Sequence, residues 1–157
     1  MKIYFWSVGK LHEPYVKEGI ETFTKRISHY YGVEWKIISP VKDAASLSNE
    51  DLKKNEAAVI LNLLFPGDVV ILLDEKGKQL TSEQLADLIQ QNANNSTKNL
   101  VFIIGGAYGV DEKIIKRANY VWSLSKLVFP HQLVRLILAE QVYRASTIIR
   151  NEKYHHT

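Results

Sequence analysis

Residues Leu100–Ile104, LVFII, form a run with no polar side chain. Such a run fits a strand covered on both faces, the position of a central strand in a parallel sheet. Parallel neighbours need long crossovers, so the chain around it must alternate strands with helices. It does. Lys2–Val8 reads as a strand, and Pro14–Tyr30 as a helix with proline at its start and Val16, Ile20, Phe23 and Ile27 at helical spacing. Val33–Ile38 is a short strand closed by Ser39-Pro40. Asp43–Asn49 is a polar connection, and Asn49–Leu64 a helix. After the turn Pro66-Gly67-Asp68 come a strand, Val69–Leu73, and a second predicted turn at Glu75–Lys78.

Thr81 and Gln84 form a capping box that opens the next helix, which ends in the Asn/Ser-rich stretch Asn92–Thr97. Beyond the glycine segment Gly105–Gly109, Asp111–Ala118 reads as a short helix, Tyr120–Leu124 as a strand and His131–Arg150 as a long helix. The pattern predicts one α/β domain over residues 1–157, with a mostly parallel sheet and flanking helices. In the last helix Leu133, Val134, Leu136, Ile137, Leu138 and Val142 occupy more than one stripe. Such a helix needs cover on several sides, either within the domain or from a second subunit.

There is no cysteine, which excludes disulfides and thiolate metal sites and fits a cytoplasmic protein. No signal peptide is expected from an N-terminus that opens as an alternating strand, nor a membrane span from runs this short. Charge is uneven. Residues 1–110 carry 12 Lys/Arg against 13 Asp/Glu, whereas residues 111–157 carry 8 against 4. A basic last third is either an ordinary solvated face or a surface for a polyanion.

Ligands of open α/β sheets bind beyond the carboxyl ends of the strands. Three ends stand out: Leu73-Asp74, Gly105-Gly106 and the loop Ser123–Pro130. GGAYG matches neither a dinucleotide fingerprint nor a P-loop, and it also reads as a plain strand-to-helix turn. The apolar loop SLSKLVFPHQ offers main-chain groups that suit an adenine ring, or it is a buried crossover. His131 and Arg135 share a helix face, and Glu140 and Arg144 have the spacing of a helix ion pair. Tyr154, His155 and His156 fall in the last four residues and read as an untethered tail. No HExxH or GxSxG motif is present, so neither a metal site nor a serine nucleophile is expected.

The stretch LSKLVFPHQLVRLILAEQVYRA (Leu124–Ala145), with IYFWSVGKL, ILLDEKGK, FIIGGAYGV and the ending RNEKYHHT, closely resembles the bacterial ribosomal RNA large subunit methyltransferase H family, of the SPOUT class. The five segments span essentially the whole chain. The resemblance implies a five- or six-stranded α/β domain with a C-terminal trefoil knot, a homodimer packed through the knots, and S-adenosylmethionine (SAM) as cofactor. It further implies N3-methylation of a pseudouridine in helix 69 of 23S rRNA in the assembled ribosome. The competing readings are a SPOUT methyltransferase of another RNA, such as tRNA, and a non-catalytic ribosome-associated RNA-binding protein.

By position, the resemblance assigns cofactor contacts to Leu73, Gly105, Gly106, Ser125, Lys126, Leu127, Val128, Phe129 and Pro130. It assigns the RNA-facing chemistry to His131, Arg135, Arg144, Tyr154 and His155, with His156 beside them. His155 is the candidate proton acceptor, and the two arginines the candidates for phosphate or developing charge. Thr157 stands where the family usually carries a basic residue. The tail is expected to be mobile until RNA arrives.

Overall fold

The computed structural model describes residues 1–156; Thr157, and with it the expectation about a basic last residue, lies outside the described residues. Five strands, β1 (Lys2–Val8), β2 (Gly32–Ile38), β3 (Val69–Gln79), β4 (Asn99–Ile104) and β5 (Tyr120–Ser123), form one sheet in the order β2-β1-β4-β3-β5. Every pairing is parallel. The apolar run LVFII is β4, in the middle of that order. Its residues Leu100–Ile104 are all buried, as a strand covered on both faces requires.

Five helices cover the two faces: α1 (Pro14–Ile27), α2 (Asn49–Leu63), α3 (Ser82–Asn94), α4 (Glu112–Arg117) and α5 (His131–Ile149). Ile27 of α1, Leu85 and Ile89 of α3, and Leu138, Val142 and Ala145 of α5 pack on one face with Phe5 and Phe102. Ala57 and Ile60 of α2 and Ile114 of α4 pack on the other with Val70, Val101 and Ile103. The helix starts follow the sequence closely. Ser48 caps α2 by accepting from the Asp51 N–H, and Asp111 caps α4 through Lys113. The Thr81/Gln84 capping box is complete.

α5 lies between α1 and α3, so the domain itself supplies much of the cover this helix needs. A side-chain carbon at Gly19 of α1 would stand 2.7 Å from Leu136, so glycine there lets the two helices approach closely. At its other end α5 stops in a Schellman arrangement. Asn151 takes a left-handed φ of 55°, its N–H donates to the Ile148 carbonyl, and the Glu152 N–H donates to the Thr147 carbonyl. This turns the chain back along α5.

One element differs from the sequence reading. The turn predicted at Glu75–Lys78 is part of β3, which continues to Gln79. Its register against β5 jumps between Leu73 and Lys78, and pairing resumes with Lys78 opposite Trp122. Gly77 is what permits the close return: a side-chain carbon there would lie 2.6 Å from the Val121 carbonyl carbon and 2.7 Å from the Trp122 nitrogen. The signals that suggested a turn mark this irregularity, which swings Asp74 and Glu75 out of the ladder. Replacing Gly77 with alanine pushes the strands apart and is expected to cost about 1–3 kcal/mol. Urea unfolding of Gly77→Ala against wild type measures it.

Candidate active site

β3 and β4 are neighbours, yet their chains depart to opposite sides: α3 packs on the α5 face and α4 on the other. Divergent exits of this kind leave a crevice at the carboxyl ends of the strands. A cleft of about 430 Å³ opens there, lined by Leu73–Glu75 of β3, the turn Ile104–Val110, residues 122–125 and 127–129, and His131 and Val134 of α5. Its volume lies in the usual range for small-molecule sites, roughly 300–1,000 Å³.

Several features fit the cleft to an adenosine-bearing cation. Asp74 and Glu75 line it and no lysine or arginine does, an electrostatic setting that disfavours phosphates. In the loop Ser123–Pro130 the Ser123 hydroxyl donates to the Ser125 carbonyl, and the Ser125 hydroxyl accepts from the Leu127 N–H. These bonds rigidify the loop. Among the described residues, the N–H groups of Lys126, Val128 and Phe129 donate to no protein acceptor. Trp122 also lines the cleft and has a buried indole N–H without a partner. An apolar wall with unused donors is what a purine ring requires.

The glycines fit the plain strand-to-helix turn that the sequence allows. A side chain at Gly105 would collide with Val110, and one at Gly106 would stand 2.6 Å from the Glu56 carboxyl. Gly109 has a φ of 87°, and its N–H donates to the Gly106 carbonyl at 3.1 Å. Gly105 and Gly106 therefore serve the packing of this tight turn against its own protein. Glu56 is buried behind it, and burial raises its carboxyl above the ordinary range.

Arg135 is corrected by the structure. Expected to face RNA, it is 1% exposed. Its Nε donates to Ser7 Oγ at 2.8 Å, and its Nη1 to the Lys10 carbonyl at 2.8 Å, with His12 Nδ1 3.3 Å away. The face it shares with His131 turns toward the end of β1, so the guanidinium pins the Gly9–His12 loop to the first turns of α5. Gln132 adds two bonds, accepting from the Glu13 N–H and donating to the Leu11 carbonyl. Among the described residues no carboxylate bonds to Arg135, and burial lowers its pKa. The histidines beside it respond similarly: burial, then the Arg135 charge, lowers His131, and the same two causes lead for His12.

The tail is corrected too. It is folded back on α5 rather than untethered. The Tyr154 hydroxyl donates to Glu140 at 3.1 Å, and its ring packs on Tyr143 and beneath the Arg144 guanidinium. Arg144 forms the expected ion pair with Glu140, which raises its pKa. His155 sits between Arg144 Nη1, at 3.3 Å, and Glu83 of α3, at 2.8 Å. His156 is exposed.

The assigned residues thus fall into two groups. Leu73, Gly105, Gly106, Ser125, Leu127, Val128, Phe129 and His131 line the cleft. Lys126 and Pro130 are exposed in the same loop without lining it. Arg144, Tyr154 and His155 gather near the far end of α5, thirteen residues beyond His131. At 1.5 Å per residue that is about 20 Å. One subunit does not bring the groups together. Sequence reasoning marked the strand end Leu73-Asp74 but missed Glu75 as a lining residue, and it gave no signal for Ser7, Glu56 or Glu83.

Comparison with known proteins decides the family. The family model described as "Predicted SPOUT methyltransferase" matches residues 1–155. The chain belongs to the SPOUT methyltransferase family. It is 46% identical over 156 residues to "Ribosomal RNA large subunit methyltransferase H" of Cytophaga hutchinsonii, covering 99% of this chain and all of that protein. It is 43% identical to the protein of that name from Parabacteroides distasonis, covering 99% of each. Among solved structures, the crystal structure of a probable methyltransferase from Bordetella pertussis Tohama I shares the fold at a TM-score of 0.60. It is 12% identical and covers 92% of this chain and 96% of that one. The parallel α/β architecture expected from the sequence is thereby borne out.

Among the described residues of this SPOUT methyltransferase, no group of three acidic, histidine or cysteine side chains is placed to hold a metal. No described helix is long and apolar enough to cross a membrane. The half-buried histidines set a pH dependence. Because His12 and His131 have folded pKa values lowered from 6.5, the unfolded chain binds more protons below that pH. Stability is expected to be full above about pH 6.5 and to fall as the pH drops toward the folded values. Urea unfolding at stepped pH measures the slope, and a His12→Gln/His131→Gln double variant should flatten it.

Proposed function

We propose that this methyltransferase uses SAM to methylate N3 of a pseudouridine in helix 69 of 23S rRNA, on assembled ribosomes in the cytoplasm. The observation that carries the reading is its full-length similarity, at 40–46% identity, to relatives named ribosomal RNA large subunit methyltransferase H. The cleft supports the cofactor through its acidic rim and the free N–H groups of its apolar loop. The C-terminal trefoil knot of this family belongs to the same proposal, with the turn Gly105–Gly109 and the loop Ser123–Pro130 as its edges.

SAM supplies an activated methyl group, so no protein nucleophile is required. The protein's task is alignment, which supplies roughly 7–11 kcal/mol in favourable cases, together with proton removal, worth about 10²–10⁴-fold. His155 is the proposed acceptor of the N3 proton. Arg144 faces the charge that develops on the base, and Tyr154 holds the arginine plane. His131 stands at the cleft rim on the RNA side. Arg135 is a positioning residue that holds the Gly9–His12 loop.

Since the cleft and the tail lie at opposite ends of α5, the proposal requires a homodimer in which the tail of one copy completes the cleft of another. An apolar surface at the start of α5 suits that contact: Leu11, Leu127 and Val128 are 77%, 71% and 87% exposed. Both copies then add their basic C-terminal thirds to one RNA surface. In a labelled-methyl assay, transfer is expected to intact ribosomes and not to free tRNA. His155→Ala should bind SAM normally and lose transfer by about 10²-fold or more. Transfer to tRNA, or no binding of SAM in calorimetry, would contradict the reading.

A further inference from the structure

The side chains around the tail close into a ring. Ser82 and Glu83 are the first two residues of α3, whose start is fixed by the capping box. The Ser82 hydroxyl donates to Gln141 Oε1, and Gln141 Nε2 donates to Glu140 Oε2. Glu140 accepts from Arg144 and from Tyr154; Arg144 meets His155 Nδ1, and His155 Nε2 meets Glu83. The helix start of α3 is thus the fixed point to which the tail is tied.

The chemistry of the two neighbours fixes the imidazole. A guanidinium donates hydrogen bonds and accepts none, whereas a carboxylate only accepts. Nδ1 must then present its lone pair to Arg144, and Nε2 must carry the hydrogen that Glu83 accepts. His155 is held as the neutral Nε2–H tautomer, with its acceptor nitrogen turned toward the arginine proposed to engage the substrate. Among the described residues, the other charged or titratable groups of the cluster are Glu140 and Tyr154, bound to one another and, through Glu140, to Arg144, and Tyr143, whose ring packs on Tyr154.

We infer that Glu83 is a positioning residue that sets the tautomer and aim of His155, forming with it a carboxylate–histidine dyad. The inference deepens the reading of His155 as proton acceptor and rests on it. When Arg144 turns to the RNA, Nδ1 is freed in the correct protonation state. N3 would give its proton to Nδ1, and the electron pair left on N3 would form the new N–C bond as the sulfonium–methyl bond of bound SAM breaks, that bond's electrons staying on sulfur in the departing thioether. The resulting imidazolium keeps its Nε2–H on the Glu83 carboxylate, which offsets the new charge, and later releases the Nδ1 proton to water. Its bond to His155 also leads the causes that lower the Glu83 pKa, as a carboxylate kept ionised requires.

Glu83 itself is half exposed, so its substitution leaves the fold intact. The test compares wild type, Glu83→Gln, Glu83→Ala, Glu83→Asp and His155→Ala as intact dimers. It uses methyl transfer to ribosomes across a pH series, SAM affinity by calorimetry and nitrogen NMR of the His155 ring. Expected are an Nε2–H ring in wild type and a mixed tautomer signal in Glu83→Ala. kcat in Glu83→Ala and Glu83→Gln should fall about tenfold or more at unchanged SAM affinity, with partial rescue by Glu83→Asp. Wild-type rates and tautomer in Glu83→Ala, with His155→Ala inactive, would overturn the role of Glu83 while leaving His155 as the base. A fully active His155→Ala would overturn both.

Discussion

Leu138, Val142 and Ala145 have no exposed surface, and through them α5 is fixed on the sheet between α1 and α3. The rest of the site depends on that packing. The first turns of α5 form one wall of the cleft, and its last turns carry Glu140 and Arg144, on which the tail folds. A rigid helix of 19 residues therefore sets the separation between cofactor cleft and tail cluster. Neither group reaches the other by side-chain motion, which is why the proposed site joins them through a second copy.

Buried charge secures the helix at its start. Taking a guanidinium out of water costs several kcal/mol, and at Arg135 the cost is offset by neutral acceptors rather than a carboxylate. Geometry is what this arrangement gains: Ser7, Lys10 and His12 are tied to α5 beside the cleft. The far end is handled by exposed and half-buried ion pairs, which contribute little stability individually but orient side chains. Rigidity at the cleft and adjustability at the tail match a cofactor bound the same way each cycle and an RNA that arrives and leaves.

Much of this was legible in the sequence, for physical reasons. The run Leu100–Ile104 announced a strand buried on both faces, and the Thr81/Gln84 capping box marked a helix start that the structure keeps. The strand ends at Leu73 and Gly105 marked the cleft because parallel topology decides where crevices open. Long-range partners were not legible. Arg135 has the polarity of a surface residue, and nothing local shows that its face of the helix meets Ser7, 128 positions away. The fold-back of Tyr154 and His155 depends on a left-handed Asn151 and on Glu83, which reads in sequence merely as a first-turn acid. At Glu75–Lys78 turn-forming residues serve a strand irregularity, because pairing with β5 outweighs local propensity.

The central claim is that one active site is built from two copies. Mixing a tail-defective His155→Ala subunit with a cleft-defective Ala107→Trp subunit, whose added ring fills the cleft from an exposed position of the turn, after unfolding and joint refolding, tests it most directly. Each variant alone should be inactive in methyl transfer to ribosomes. Random pairing makes half the dimers mixed, each with one intact site, so the mixture should recover about a quarter of wild-type activity. Shared sites predict that recovery. A mixture as inactive as its parents, with mixed dimers verified by mass, would contradict the account.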